Sequence, residues 1–152
     1  MLARLLTLMR NSVAAPGQQL FSSSGTFTVP VGVTSICAVA VGRGQNGAAG
    51  DGEGTSGKGG EGGTLSYTNS ISVTPGESLT VTIATSTSSS TGETTLKRSS
   101  TVLLVARAGG QSSGQANVGT AFAGGTTPTA FLIYGSGGGG AGGYSAAGGG
   151  GG

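Results

Sequence analysis

The sequence predicts an all-β fold: an antiparallel β-sandwich, jelly-roll-like, with long glycine-rich loops, a short N-terminal arm and a poly-Gly C-terminal tail. Three observations carry that expectation. Short apolar runs with two-residue alternation recur between Thr26 and Ala106, bounded by Pro, Gly, Ser and Asn, as strands joined by turns require. No helical period continues past residue 12. Thirty-four glycines interrupt the runs while charged residues make up only 8%, against about 25% in ordinary soluble domains. Disordered chains stay in solution through charge, so this uncharged Ser, Thr and Gly content reads as outward strand faces and packed glycine tracts. Many short strands with turn residues between them fold as sheets laid on one another.

The chain divides into an arm over 1–18, a glycine-rich sandwich domain over 19–134 and a poly-Gly tail over 135–152. The arm begins MLARLLTLMRNS, with apolar residues spaced for one face of a short helix. A signal peptide or an organelle transit peptide is the rival reading of this basic, Leu-containing start. The uninterrupted apolar core is only Leu5 to Met9 and Arg10 follows it, short of the about 7–15 residues of a secretory core. The preferred reading is a docking arm, too short to hold a helix alone, with Leu2, Leu5, Leu6 and Leu8 contacting a partner. No stretch approaches the roughly 20 apolar residues of a membrane span.

The first strand is Thr26 to Val29, with Phe27 and Val29 inward; Pro30-Val31-Gly32 turns the chain. Thr34 to Val41 is apolar on both faces, Ile36, Ala38 and Ala40 on one and Cys37, Val39 and Val41 on the other. That pattern predicts a central strand covered on both sides, with Cys37 buried as a small hydrophobe. A glycine tract fills 42–63. Leu65, Tyr67, Ile71 and Val73 then share a face before Pro75-Gly76, the centre of a type II turn, and Leu79, Val81 and Ile83 follow inward. Those two runs are expected to pair as a hairpin. Thr94 to Leu96 and Thr101 to Ala106 supply further strands; a glycine-rich loop over 109–125 contains the apolar triplet Ala121-Phe122-Ala123, and Ala130 to Tyr134 is the last apolar run. The expected core is Phe27, Val29, Ile36, Val39, Leu65, Tyr67, Ile71, Val73, Leu79, Val81, Ile83, Leu103 and Val105.

Motifs for chemistry are few. Gly42 to Gly47 matches the dinucleotide fingerprint and Gly52 to Lys58 most of a phosphate loop, but both need a helix to follow. The glycines after them each cost a helix about 1 kcal/mol. There is no histidine, which removes the commonest general base and metal ligand. The single Cys37 excludes an intrachain disulfide. Asp51 and Glu53 are neighbouring loop carboxylates of the kind that attract a hard cation, but solvation of a charge-poor chain is the preferred explanation for them. No catalytic residue, cofactor or metal is expected. A net charge of +2 is too weak for a nucleic-acid footprint.

Glycine recurs every third residue at Gly44, Gly47 and Gly50, then at Gly54, Gly57, Gly60 and Gly63. Without proline and with a slipped frame this is not collagen. The period fits extended left-handed segments with three residues per turn, packed side by side and bonded through their backbones. An irregular loop is the other reading, and the sequence leaves both open.

GTFTVPVGVTSICAVAVG, a tract ending GKGGEGGTLSYTNSISVTPGESLTVTIA, and TVLLVARAGG together resemble the glycine-rich domains of tailed-bacteriophage tail fibres and adhesins. The resemblance spans about Phe21 to Gly110 and is anchored on Phe27 to Pro30 and Val73 to Gly76. It implies a non-enzymatic virion protein, exposed on the phage particle for attachment to a host surface. Its implied partners are capsid or tail subunits, further copies of the chain (a homo-oligomer, with a trimer among the options), and a host surface glycan or outer-membrane protein. Receptor contacts are expected on the loops 42–63, 85–92 and 109–125. A capsid or tail decoration (cement) protein is the alternative expectation, because no coiled-coil or collagen-like shaft occurs in these 152 residues.

Overall fold

The computed structural model describes residues 17–49, 57–85, 92–110, 120–122, 125, 139–140, 143 and 147–150. Among these residues there are seven strands and no helix: β1 (Gly25–Thr28), β2 (Ser35–Val41), β3 (Leu65–Ser72), β4 (Ser78–Thr82), β5 (Glu93–Arg98), β6 (Thr101–Arg107) and β7 (Thr120–Phe122). One sheet has the order β1-β4-β5-β6 and the other β2-β3-β7, and every pairing is antiparallel. The all-β, antiparallel expectation is met. Ala121 and Phe122, expected within a loop, belong to β7, which pairs with β3 through Leu65 and Phe122.

Turn chemistry decides which sheet each strand joins. The Pro30 carbonyl accepts from the Val33 N–H at 3.2 Å, with Gly32 at φ 84°. The Thr74 carbonyl accepts from the Glu77 N–H at 2.9 Å, with Gly76 at φ 81°. A closed four-residue turn with positive φ at its third position is type II, which splays its flanking strands instead of following their twist. Each of these turns carries the chain from one sheet to the other, β1 to β2 and β3 to β4. The expected β3–β4 hairpin is therefore corrected. Pro75-Gly76 makes its turn, but β3 pairs with β2 and β7 while β4 pairs with β1 and β5. Within one sheet, β5 and β6 join through a two-residue turn between the paired Arg98 and Thr101. There Ser99 takes φ 52°, the positive first position of a type II′ hairpin turn.

One buried cluster draws on strands of both sheets and their flanking residues, Val29, Ile71, Val73, Leu79 and Leu103, with Phe27, Val33, Ile36, Ala38 and Leu96 packed around them. Leu79 is fully buried, and burying a side chain of this size contributes about 1.5–3 kcal/mol. The β5–β6 register slips between Leu96 and Lys97, leaving Leu103 as the extra residue. Such a bulge re-aims side chains, and both leucines point inward: Leu103 joins this cluster, while Leu104 joins a second one with Ala40 and Ala106.

Two core expectations are overturned. Val39 is 50% exposed and Cys37 is exposed, because β2 is an edge strand that the described residues cover on one face only. Tyr67, Phe27, Ile36 and Ile83 are only partly buried. Ile36, Ala38 and Ala40 take the inner face. Leu65 and Tyr67, expected on the face of Ile71 and Val73, pair instead with Val41 and Val39 on the opposite face, because the β2–β3 register slips between Ile36 and Ala38. The apolar residues on the opposite face did not report intramolecular cover.

Inward side chains shrink toward one end of the sheets. Along β2 they run Ile36, Ala38, Ala40 and then Gly42, and β6 contributes Ala106, followed by the buried Ala108. Where the side chains vanish, backbones meet. Gly42, Gln45 and Ala48 donate N–H bonds to the Thr64, Glu61 and Lys58 carbonyls, each at 2.8 Å. Bonds at every third residue match the period of an extended helix of three residues per turn and not that of a two-residue strand. Other faces of the same segments bond sideways, Gly109 N–H to the Arg43 carbonyl at 2.8 Å and Gly139 N–H to the Gly60 carbonyl at 2.9 Å. A Cβ on Gly60 or Gly63 would collide with the carbonyls of Gln45 and Gly42 respectively. The described parts of the first glycine tract thus form a backbone-bonded array, and glycines of the terminal run join it through Gly125, Gly140 and Gly149.

Candidate functional site

The sheet β2-β3-β7 contains no charged residue, whereas β5 and β6 carry Glu93, Lys97, Arg98 and Arg107. Register fixes what its outer face presents. Val41 pairs with Leu65 and Leu65 with Phe122, giving one apolar row across three strands. Val39 pairs with Tyr67 in the next row, and Cys37 lies beyond Val39 along β2. Val39 and Val41 are about half exposed, at 50% and 51%, while Leu65 is buried. Farther along, the face turns polar: Ser35 pairs with Ser72, and the Ser35 and Ser70 hydroxyls lie 3.1 Å apart. The result is a neutral surface, apolar at the end nearest the glycine array and hydroxyl-rich at the other. It offers shape and dispersion contact and carries no Asp, Glu, Lys, Arg or His on its strands.

The described carboxylates are all engaged by cations. Glu61 faces Lys58 at 3.7 Å and Glu93 faces Arg107 at 3.1 Å. Glu77 takes a two-pronged contact from Arg98, Nε to Oε1 and Nη2 to Oε2, and Arg98 Nη2 also donates to the Ser72 carbonyl at 2.6 Å. The Thr74 N–H donates to Glu77 Oε2 at 3.0 Å. The Arg98 hydrogen bond, helped by the Thr74 amide, lowers the Glu77 pKa below the usual carboxylate range, and the same bond raises that of Arg98. Ser72, Val73, Thr74, Glu77 and Arg98 line a shallow open depression, with this fork in its wall. The arrangement clamps the β3–β4 crossing to the end of β5, a structural task. Among the described residues no three His, Cys, Asp or Glu side chains converge as a metal site. No helix there is long and apolar enough to cross a membrane.

Leu2, Leu5, Leu6 and Leu8 lie outside the described residues, as do Asp51, Glu53 and the run Ala130 to Tyr134. Of the loops expected to carry receptor contacts, 42–49 and 57–63 form the array, and most of 85–92 and 109–125 lies outside the described residues. The surface that sequence reasoning missed is the outer face of β2 and β3. Its signal was present: the apolar alternation of Cys37, Val39 and Val41, which reads the same whether the cover is intramolecular or not. Comparison with family models, with curated proteins and with solved structures finds no match to this chain.

Proposed function

We propose that the chain is a non-enzymatic structural protein of a bacteriophage virion, a tail-fibre or adhesin-type module exposed on the particle for host-surface attachment. In this reading the two sheets form a β-sandwich, and the glycine array extends it as a rigid platform for the loops that meet a host surface glycan or outer-membrane protein. The observation that carries the reading is the array itself. Three-residue periodicity in backbone bonds, from Gly42–Thr64 to Ala48–Lys58, makes the glycines a built element. Ordering them opposes glycine's large conformational entropy, which an unselected filler loop would not sustain. The resemblance to fibre and adhesin domains supplies the context. Immunogold labelling of assembled particles tests the proposal, with label expected at the tail tip or fibres and purified protein expected to bind host envelopes. Particles without label overturn it.

A decoration or cement role is the second reading. The half-exposed Val39 and Val41 on an uncharged sheet favour it, since an apolar face of this kind is suited to burial against a neighbouring subunit. Label spread over the head, with particles lacking the chain failing under heat or osmotic shock, would select this role.

A further inference from the structure

The open side of β2 has a specific backbone pattern. The Thr34 carbonyl accepts from the Val73 N–H and the Gly42 N–H donates to the Thr64 carbonyl, so even-numbered positions face β3. Backbone groups alternate sides along a strand, and Ser35, Cys37, Val39 and Val41 therefore point their N–H and C=O groups to the outer edge. No described residue bonds to those groups. Exposed edges are normally blunted by charge, proline or short length. Two other edges are short: β1 has four residues and is followed within two by Pro30, and β7 has three; β6 has seven but ends in the charged Arg107, which is bonded to Thr64. β2 is seven residues, SICAVAV, with neither charge nor proline.

We propose that β2 is the interface between two copies of this chain, paired antiparallel about a two-fold axis at Ala38. The edge is neutral and seven residues long, and a second copy supplies a strand of the same length and charge to lie against it. Isologous pairing closes both open edges at once. Only the register centred on Ala38 engages all four outward-facing residues, placing Ser35 opposite Val41 of the second copy and Cys37 opposite its Val39. The two three-stranded sheets become one six-stranded sheet, and their apolar outer faces become continuous. The pairing stands independently of the virion reading.

The full-length chain is expected to sediment as a dimer across a concentration series. Val39→Pro removes an N–H that points away from β3, so the monomer keeps its β2–β3 ladder. The dimer loses that bond twice and its Kd rises about tenfold or more. In the paired register residues 37 and 39 of opposite copies sit with Cα atoms about 5.5 Å apart, within disulfide reach. Val39→Cys beside native Cys37 is therefore expected to give an oxidised dimer with two interchain Cys37-to-39 bonds, identified by peptide mapping. A monomer at every concentration, or an oligomer in which the V39C variant forms no such bond, overturns the proposal.

Discussion

The Gln45 N–H donates to the Glu61 carbonyl at 2.8 Å, and the same bond recurs three residues away on either side, Gly42 to Thr64 and Ala48 to Lys58. Only the Ala48–Lys58 step resembles a sheet bridge. The stretch is a ladder with a three-residue rung, which leaves other faces of each segment free to bond further neighbours. Gly109 shows the consequence, since a Cβ there would strike both the Glu61 carbonyl and the Gln45 nitrogen. Three segments meet at one glycine.

Amide hydrogen exchange should report that period. Gly42, Gln45 and Ala48 are expected to exchange slowly, and Gly44, Asn46 and Gly47 between them quickly, because exchange needs the bond to open. Uniform rates from 42 to 48 would show that the rungs do not persist in solution.

Glycines in this array should differ sharply by position. Gly60→Ala and Gly63→Ala force a Cβ against a backbone carbonyl, and overpacking where only backbone can yield costs about 3 kcal/mol. Gly44→Ala meets its nearest neighbour, the Glu61 carbonyl, at 3.6 Å. It is expected to be neutral or to stabilise by up to about 1 kcal/mol through the unfolded chain. Urea midpoints at constant slope decide; equal losses for all three would remove the close-approach argument.

Thr64 joins the array to β6. Its hydroxyl accepts from the Arg107 N–H at 2.7 Å and donates to the Arg107 carbonyl at 3.2 Å, while its own N–H reaches that carbonyl at 3.0 Å. Thr64 is buried, so Thr64→Val keeps the shape and strands the Arg107 N–H, costing about 1–3 kcal/mol. Denaturant unfolding checks the loss, and a neutral T64V would mean that water reaches this bond.

The Glu77–Arg98 fork should give stability a pH signature. The Glu77 pKa is lowered in the folded protein, chiefly by the Arg98 hydrogen bond. Its contribution is then complete above the unfolded glutamate value of about 4.3, and is lost as pH falls through the lower folded value. Melting temperature is expected to drop over that window in the native chain and more weakly in Glu77→Gln. Parallel melting curves for the two would remove Glu77 as a source of the acid sensitivity.

Strand positions could be read from alternation, and so could the inward face at Leu79, Val81, Ile71 and Val73; the face of Leu65 and Tyr67 could not, because a register slip between β2 and β3 breaks the alternation without a local signal. Sheet membership could be read in principle. Pro75-Gly76 announces a type II turn, and that geometry argues for a crossing, not a hairpin. The face of Cys37, Val39 and Val41 could not be assigned, since an apolar alternation carries no label for whose surface covers it. The array was half legible: Gly57, Gly60 and Gly63 display the period, but that Gly60 and Gly63 approach the Gln45 and Gly42 carbonyls depends on a separate segment of the chain. Nothing local separates such a tract from an irregular loop.

The two kinds of turn make the last prediction one of opposite signs. At Gly76, φ is 81° and a Cβ would meet nothing within 4 Å, so Gly76→Ala has no packing penalty. What remains is the left-handed conformation itself, about 1–2 kcal/mol for a residue with a Cβ, and the variant should lose that amount. Ser99 already bears that strain at φ 52°, in the position where a II′ hairpin turn favours glycine. Ser99→Gly releases it but adds glycine's backbone entropy, about 0.5–1 kcal/mol against folding. The net expectation is a gain of about 0.5 kcal/mol, the difference of those two effects. Paired urea curves on G76A and S99G are sufficient. If both destabilise, the Arg98–Thr101 connection is held by the Ser99 side chain and not by its backbone, and the contrast between crossing turns and hairpin turns loses its energetic basis.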